Sequence, residues 1–351
     1  MLLVNKLRFL NIGDPHFYHS APACRIDDYP NTCLNKLNSI FDYCDEQEID
    51  FIIINGDFFN KVNIPFVYLN TIIEKISDFK KIYKSKYNRD YHIFTIIGNH
   101  DLPYENFNYL NRSPLYTLIQ LGIIEHLDLL EIKDNSNNFI YIKGFDYSII
   151  PTTLDDYINK NINTFTSNNN FNNSIYTASK TNRLNNTVCV LHEFFDLTLQ
   201  TDNLTKRQAD ELGYSLYLMG HDHLYYKPFV TKKYTVLRSG SLLRNSSHKE
   251  QIERMPIFYD IEYNIYTKSF SYKEVQVKCA EPGSRVFSEE AIIKPVIQEN
   301  KQSLSSKINN IISSISEEQN KEISIFEILN NMDIEDEVLE LLKCYLRNSV
   351  G

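Results

Sequence analysis

Residues 51–60 read FIIINGDFFN, and residues 93–101 read IFTIIGNHD. In both stretches the apolar run of a buried β-strand ends in a glycine, which is followed at once by side chains that can bind a metal. A third strand pattern, Leu7–Ile12, ends in the same way before Gly13 and Asp14. These stretches therefore indicate three buried strands, each with polar side chains at its carboxyl end.

The elements around these stretches indicate a parallel sheet. Helical patterns near Cys33–Gln47 and Val67–Tyr83 separate the three strands, which gives the order β-α-β-α-β. Later helices are expected at Ser113–Leu121 and around Thr205–Leu212. Further strands are expected at Phe139–Phe145, Thr187–Leu191, Leu216–Met219, Tyr234–Leu237, Ile257–Tyr263 and Tyr266–Tyr272. The last three lack intervening helices, which favours antiparallel pairing. The sequence therefore predicts an α/β fold, a four-layer α/β/β/α sandwich.

The chain is expected to form a large domain, residues 1–278, and a small helical C-terminal module, residues 283–351. The Asn-rich stretch at about 159–186 is interpreted as a surface insertion. After residue 283 the pattern changes to helices without a strand signal, and Ser324-Ile-Phe-Glu327 fits a capping box. Two roles stay open for this module, a stabilising appendage or a docking element for a partner.

Composition limits the classes of function. The chain has 351 residues, of which 42% are hydrophobic, which is enough for a buried core. The sequence lacks the run of roughly 18 apolar residues that a membrane span needs, so a soluble cytoplasmic protein without a membrane partner is expected. The formal net charge of -9 argues against nucleic-acid binding through overall charge. Any contact with nucleic acid must therefore be local.

Five segments place metal-competent side chains after a strand. Taken singly, each can be explained by a turn glycine or a helix cap. Together they favour one shared site, because the carboxyl ends of strands in open α/β sheets line the same crevice. The predicted metal ligands are Asp14, His16, Asp57, Asn99, His192, His221 and His223.

The donor set indicates which ions and which chemistry this site would support. Oxygen and imidazole donors without thiolates suit Mn²⁺, Fe or Zn²⁺, and a shared carboxylate can hold two ions about 4 Å apart. Two adjacent metal ions suit phosphate esters as substrates, because they neutralise charge on the phosphate and activate water near neutral pH. We expect two divalent ions, with Mn²⁺ preferred and Fe, Zn²⁺ or Mg²⁺ as alternatives.

In the order D-x-H, G-D, G-N-H-D, H and G-H-x-H, the motifs resemble those of the calcineurin-like metallophosphoesterase superfamily, from about Leu7 to Tyr263. The resemblance implies two ligand sets that share Asp57. The first set is Asp14, His16, Asp57 and His223, and the second is Asp57, Asn99, His192 and His221. The resemblance also implies that His100 stabilises the transition state or protonates the leaving oxygen, with Asp101 in a supporting role.

Two further segments are similar to those of SbcD-type DNA repair nucleases and their phage relatives. They are Gly56-Asp57-Phe58-Phe59-Asn60 and Val236-Leu-Arg-Ser-Gly-Ser-Leu242. This resemblance implies an exonuclease or endonuclease subunit that acts on DNA in repair, recombination or phage replication. It also implies an SbcC-like ATPase partner, docked on the C-terminal helices from Ser324 to Leu346. Asn60 stands where those nucleases usually carry His to orient the catalytic histidine, so His100 is expected to be less often protonated.

Substrate contacts and alternative functions complete the prediction. Arg238 and Arg244 flank Gly240-Ser241 near the last metal motif, and His19 follows the first motif, so these three side chains are the predicted substrate-binding residues. DNA is the predicted substrate, and a homodimer stays open. The alternatives are a phosphatase or cyclic-nucleotide phosphodiesterase on small esters, and a scaffold that has kept the fold and lost catalysis.

Overall fold

The computed structural model describes residues 6–133, 139–149, 151–156, 187–196, 204–264, 267 and 269–292. These residues belong to one compact unit, Met1–Pro295, and a second unit spans Val296–Gly351. The predicted Asn-rich insertion at 159–186 lies outside the described residues. The same holds for the predicted helical module from residue 293 onward, so both stay predictions.

The described secondary structure alternates strands and helices in the first third of the chain, as the sequence predicts. The strands are β1 Lys6–Ile12, β2 Phe51–Ile54, β3 His92–Thr95, β4 Glu125–His126, β5 Leu129–Lys133, β6 Phe139–Phe145, β7 Thr187–His192, β8 Phe195–Asp196, β9 Leu204–Thr205, β10 Leu216–Gly220, β11 Tyr226–Val230, β12 Thr235–Arg238, β13 Ile257–Asn264 and β14 Ser269–Gln276. The α-helices are α1 Tyr29–Glu46, α2 Phe66–Tyr87, α3 Pro114–Gln120, α4 Lys206–Leu212, α5 Lys249–Glu253 and α6 Gly283–Val286. Short 3₁₀ helices lie at Asn99–Asp101, Pro103–Glu105 and Phe107–Arg112.

Two six-stranded sheets form the centre of the unit. The first has the order β14-β13-β1-β2-β3-β4, in which β1 to β4 are parallel and β13 and β14 are antiparallel to their neighbours. The second has the order β11-β12-β10-β7-β6-β5, with β5 and β11 as antiparallel edge strands. The expected antiparallel pairing is confirmed for β13 and β14, whereas β12 is antiparallel to β11 on one side and parallel to β10 on the other. β11, a strand absent from the sequence prediction, lies outside β12 at the sheet edge.

Three apolar cores hold the layers together. Between the sheets, Phe9 and Ile53 of the first pack with Val190 and Leu218 of the second. On the outer face of the first sheet, the alternate strand residues pack on α1 and α2. On the outer face of the second, they pack on Ala209 of α4. The burial of these faces is the main stabilising contribution. The predicted α/β/β/α sandwich is confirmed.

The segment from α6 to residue 292 packs on this same unit. Val286, Phe287 and Ala291 form a buried cluster against Cys24 and Ile252. The first residues of the predicted C-terminal module therefore cover part of the unit's surface. No helix in the part of the chain described here is long and apolar enough to cross a membrane.

Candidate metal centre

The carboxyl ends of strands in both sheets supply the side chains of the site. Asp14 and His16 follow β1, Asp57 follows β2, Asn99 follows β3, His192 ends β7, and His221 and His223 follow β10. In each sheet the parallel strands end at one edge, so residues that are distant in sequence meet. The structure brings all the predicted ligands into one cluster.

The backbone of the cluster is strained at its ligands. Asp14, His16, Asp57 and His221 have φ values of 26°, 50°, 49° and 77°, which lie in or near the left-handed region that side chains other than glycine avoid. Each such residue costs on the order of 1 kcal/mol or more and persists where the surrounding structure enforces it. Strained residues of this kind cluster at functional sites, and here they coincide with four of the predicted ligands.

Two motif glycines make room for the carboxylates. A Cβ atom on Gly98 would overlap Asp57 Oδ1 and the Asp57 backbone nitrogen. A Cβ atom on Gly220 would overlap Asp14 Oδ1 and the Asn55 carbonyl oxygen. The glycines of these two motifs are thus required by the close approach of the carboxylates.

The first ligand group is Asp14, His16 and His223. Each offers a ligand atom, and these atoms all lie within 4.8 Å of one another. His16 Nε2 lies 2.8 Å from His223 Nε2 and 3.7 Å from Asp57 Oδ2. This arrangement matches the first ligand set that the resemblance implies.

The second group surrounds the Asn99 side chain. Asn99 Oδ1 lies 3.0 Å from His192 Nε2 and 3.2 Å from His221 Nδ1. His192 Nε2 also lies 3.3 Å from Asp57 Oδ2. Asp57 Oδ2 therefore stands between the two groups, where a bridging carboxylate belongs.

The chemistry of these groups fits divalent ions. Asp14 Oδ1 and Asp57 Oδ2 are buried and lack a hydrogen-bond partner among the described residues, which is costly for a carboxylate unless a cation compensates it. Burial lowers the pKa of both His221 and His223 to about 4, so their imidazoles are neutral and can act as ligands. Burial also raises the pKa of Asp14 to about 8. A bound cation would favour the ionised form of this carboxyl instead.

His100 is held beside the metal ligands by two main-chain hydrogen bonds. Its backbone N–H donates to Asp57 Oδ1 at 2.8 Å, and its Nδ1 donates to the Asn60 carbonyl oxygen at 2.7 Å. The Asn60 side chain points elsewhere, since its Oδ1 accepts from Asn245 Nδ2 at 3.4 Å. The expectation that the Asn60 amide orients His100 is therefore wrong. The Asn60 backbone carbonyl orients the His100 ring instead, and the expectation about its protonation stays a prediction.

Asp101 connects the loop of His100 to the loop of Asp57. Its carboxylate accepts hydrogen bonds from Gly98 N at 3.0 Å and from the backbone nitrogens of Phe58 and Phe59 at 3.4 Å. Burial, followed by the charge of Asp57, raises the pKa of Asp101 to about 7. Asp101 thus links the loops that carry His100 and Asp57, and its supporting role in the reaction stays a prediction.

The predicted substrate-binding residues lie in different surroundings. Arg244 is only 1% exposed and donates to the carbonyl oxygens of Arg254 and Glu281, so its burial contradicts the prediction that it contacts substrate. Arg238 is also buried, with its guanidinium 3.9 Å from the centroid of the Tyr226 ring. His19 is half-buried, and its ring contacts are with aromatic neighbours on the loop and on α2. Substrate roles for Arg238 and His19 stay predictions.

Three residues of the site were missing from the sequence prediction. The Asn55 carbonyl oxygen accepts from His192 Nδ1 at 2.7 Å, which orients that ring and leaves its Nε2 toward the ligands. The rings of Phe194 and Tyr147 lie 4.4 and 5.6 Å from the His221 ring. Phe194 could have been found from its position after His192, whereas nothing in the sequence places Tyr147 near the site.

Two adjacent groups of oxygen and imidazole donors, with the Asp57 carboxylate between them, form a candidate site for two divalent ions. The sequence match gives the family. The family model described as calcineurin-like phosphoesterase matches residues 7–225, more than half of the chain, and the chain therefore belongs to this family. Members hydrolyse phosphoesters and typically bind two divalent ions, so the predictions of a hydrolase and of a metal site are confirmed at this level.

Solved structures resemble the chain at low identity. The calcineurin-like phosphoesterase YfkN from Bacillus subtilis has 11% identity and a TM-score of 0.39, over 86% of this chain and 98% of that one. A second solved structure has the same identity and TM-score over 77% of this chain and 99% of its own. No curated protein sequence matches the chain significantly. Family membership therefore rests on the sequence match, together with the geometry above.

Proposed function

We propose that the protein is a metal-dependent DNA nuclease, an exonuclease or endonuclease subunit that works with an SbcC-like ATPase in DNA repair, recombination or phage replication. Support for hydrolysis comes from the complete ligand set and from His100 beside it. The same features argue against a scaffold that has lost catalysis. Support for a nucleic-acid substrate comes from exposed side chains on the segment that follows His100.

The observation that carries the nucleic-acid proposal is an exposed cluster of two aromatic side chains and an arginine, four to twelve residues after His100. Tyr104 is 86% exposed, and its ring lies 5.8 Å from that of Tyr109, over which the Arg112 guanidinium stands at 4.9 Å. Exposed aromatic rings beside a cation are the usual platform for bases of a single strand and the phosphates that join them. A polynucleotide offers the further bases and phosphates that such a cluster binds, whereas a small phosphate ester lacks them.

The residues of the chain supply binding and positioning for the reaction. Divalent ions bound by the two ligand groups would offset the charge of the phosphate and activate water. Because His100 Nδ1 donates to the Asn60 carbonyl, its Nε2 is left to meet the phosphate. In the imidazolium form, in which both ring nitrogens carry a proton, Nε2 donates a hydrogen bond to a phosphate oxygen or its proton to the leaving oxygen. Asp101 holds this loop against Asp57 during the reaction.

The nuclease proposal can be tested with purified protein, Mn²⁺ and end-labelled linear DNA. We expect degradation of the DNA, and we expect His100→Ala to lower the rate by about a hundredfold or more, the usual contribution of a general acid. His92→Ala is the matched control, because His92 pairs with Glu125 at the far end of β3 and should leave the rate unchanged. Rapid hydrolysis of small phosphate esters with no cleavage of DNA would identify a phosphatase or cyclic-nucleotide phosphodiesterase instead.

The ATPase partner is tested separately. The proposed docking element, from Ser324 to Leu346, lies outside the described residues, and its capping-box and amphipathic sequence pattern is what supports it. Deletion of residues 324–351 should release a co-expressed SbcC-like ATPase in a pull-down while metal binding is kept. Retention of the ATPase by the shortened chain would refute docking through these helices.

A further inference from the structure

Two aromatic rings stand against the outer side of the second ligand group. The Phe194 ring meets the His221 ring edge-on, with centroids 4.4 Å apart. The Tyr147 ring lies 5.6 Å from His221 and 6.1 Å from His192. These rings lie next to His221, whereas His100 lies next to His16 of the first group, at 4.9 Å between ring centroids. Phe194 and Tyr147 therefore lie beside the second ligand group, and His100 lies beside the first.

Both rings are carried by backbone that is held in place. The Phe194 backbone N–H donates to Glu193 Oε1 at 2.9 Å, and its carbonyl oxygen accepts from Leu204 N at 3.1 Å. The Tyr147 backbone N–H donates to the carbonyl oxygen of Ile97, two residues after β3, at 2.8 Å. Because the backbone is held at both residues, little of its conformational freedom is lost when a ligand stacks on the rings.

Phe194 keeps an open surface although it packs on a metal ligand. Its side chain is 37% exposed, and Tyr147 is half-buried beside the same histidine. A ring that served only to bury His221 would be expected to turn its own surface away from water. The neighbouring charge is the Glu193 carboxylate, which disfavours a phosphate at this point and is compatible with an uncharged planar group.

From this arrangement we propose that Phe194 and Tyr147 form a stacking subsite for the nucleobase next to the phosphate that is cleaved, on the side of the second ligand group. The proposal rests on the proposed nuclease function and deepens it. The subsite gives the enzyme a contact with one base face, and since every base has such a face, the contact carries little sequence preference. It favours an unpaired nucleotide, because a base within a duplex is already stacked on both sides.

The binding test uses five-residue thymidine oligonucleotides in which one thymine at a time is replaced by 2-aminopurine, whose fluorescence falls on stacking. The full chain carrying His100→Ala, with Mg²⁺, keeps the DNA intact. We expect quenching with the probe at one position. Phe194→Leu should weaken binding of that oligonucleotide about tenfold, as expected for loss of one base stack, and should remove the quenching. Phe194→Trp should keep both.

Controls separate stacking from a structural effect. Tyr272→Leu, on β14, changes an aromatic side chain of matching exposure, 36%, and should leave binding and quenching unchanged. Tyr147→Leu provides a second variant that should weaken the same probe position. Absence of quenching at every position, or equal quenching with Phe194→Leu, would overturn the subsite.

The subsite and the nuclease function fail in different ways. With Mn²⁺ and native His100, an oligonucleotide that lacks the base at the quenched position should be cut with a kcat/KM about tenfold lower, and Phe194→Leu should cut both oligonucleotides equally. Quenching without cleavage of any DNA would keep the subsite and refute the nuclease. Cleavage that is indifferent to the missing base would refute the subsite alone.

Discussion

The substitution Gly98→Ala would disturb the candidate metal centre without replacing any of its predicted ligands. The Gly98 φ and ψ of -90° and 174° are accessible to alanine, so Gly98→Ala adds a methyl group without backbone strain. The added Cβ would overlap Asp57 Oδ1 and lie 2.8 Å from Asp57 Cγ, and it would also press on the Asp57 backbone nitrogen. The bridging carboxylate therefore has to move away from its position between the two ligand groups.

Two effects of different size follow from this displacement. Overpacking of a well-packed site costs about 1–3 kcal/mol of the free energy of unfolding. Displacement of a ligand typically lowers metal affinity by about 10- to 100-fold, since the residues around a ligand fix its orientation. Gly144→Ala is the matched control, because its Cβ would overlap the Leu127 carbonyl oxygen and the Ile96 side chain, away from the ligand groups.

The assay is urea unfolding of the metal-free proteins, combined with calorimetric titration of Mn²⁺ into each. Both glycine variants should lose a similar free energy of unfolding, but Gly98→Ala alone should lose Mn²⁺ affinity. Equal Mn²⁺ affinity of Gly98→Ala and the unmodified protein would show that Asp57 does not hold metal in the position described, and the reasoning would fail.

Three other perturbations have expected outcomes. Asp101→Asn should lower the free energy of unfolding, measured in urea, by about 1–3 kcal/mol. The reason is that the amide NH₂ group would face backbone N–H donors that now meet a carboxylate, and an unchanged free energy would contradict this. Arg244→Met should cost about 3 kcal/mol by leaving buried carbonyl oxygens unpaired, without changing the DNA affinity of the folded protein, whereas a loss of DNA affinity would restore its predicted substrate role. Metal-free protein should lose thermal stability as the pH rises from about 6.5 to 8. Burial raises the pKa of Asp14 to about 8, and in His192 the effect of burial is outweighed by Asp57 and Asp14, which raise its pKa to about 10. Both groups bind a proton more tightly in the folded state, so their contribution to stability is lost as the pH rises through these pKa values. A melting temperature that does not change with pH would contradict this expectation. Added Mn²⁺, which takes the place of these protons, should stabilise the protein more at pH 8 than at pH 6.5.

Periodicity in the sequence was sufficient to predict the central strands of the first sheet and the order of the layers. Long apolar runs and amphipathic helices report burial directly, and burial decides β1 to β3, α1 and α2. Short or half-polar edge strands such as β4 and β11 carry no such signal. Since β11 was missing from the prediction, the pairing of β12, which is antiparallel to β11 and parallel to β10, was predicted only in part.

The ligands were predictable for a different reason. Side chains at strand ends meet by topology, so Asp57 and His221 could be placed together from the order of motifs alone. Contacts made by the backbone or by burial could not be placed in this way. Arg244 resembles a substrate contact in sequence, and its carbonyl acceptors become visible only in three dimensions. The same holds for the Asn60 carbonyl that orients His100.

The central claim is that two divalent ions are held side by side with Asp57 between them. Equilibrium dialysis against Mn²⁺, followed by elemental analysis, tests it most directly. We expect two ions per chain, about one for Asp14→Ala, and fewer than one for Asp57→Ala, while His92→Ala keeps two. A single ion in the unmodified protein, or two ions retained by Asp57→Ala, would contradict the shared centre.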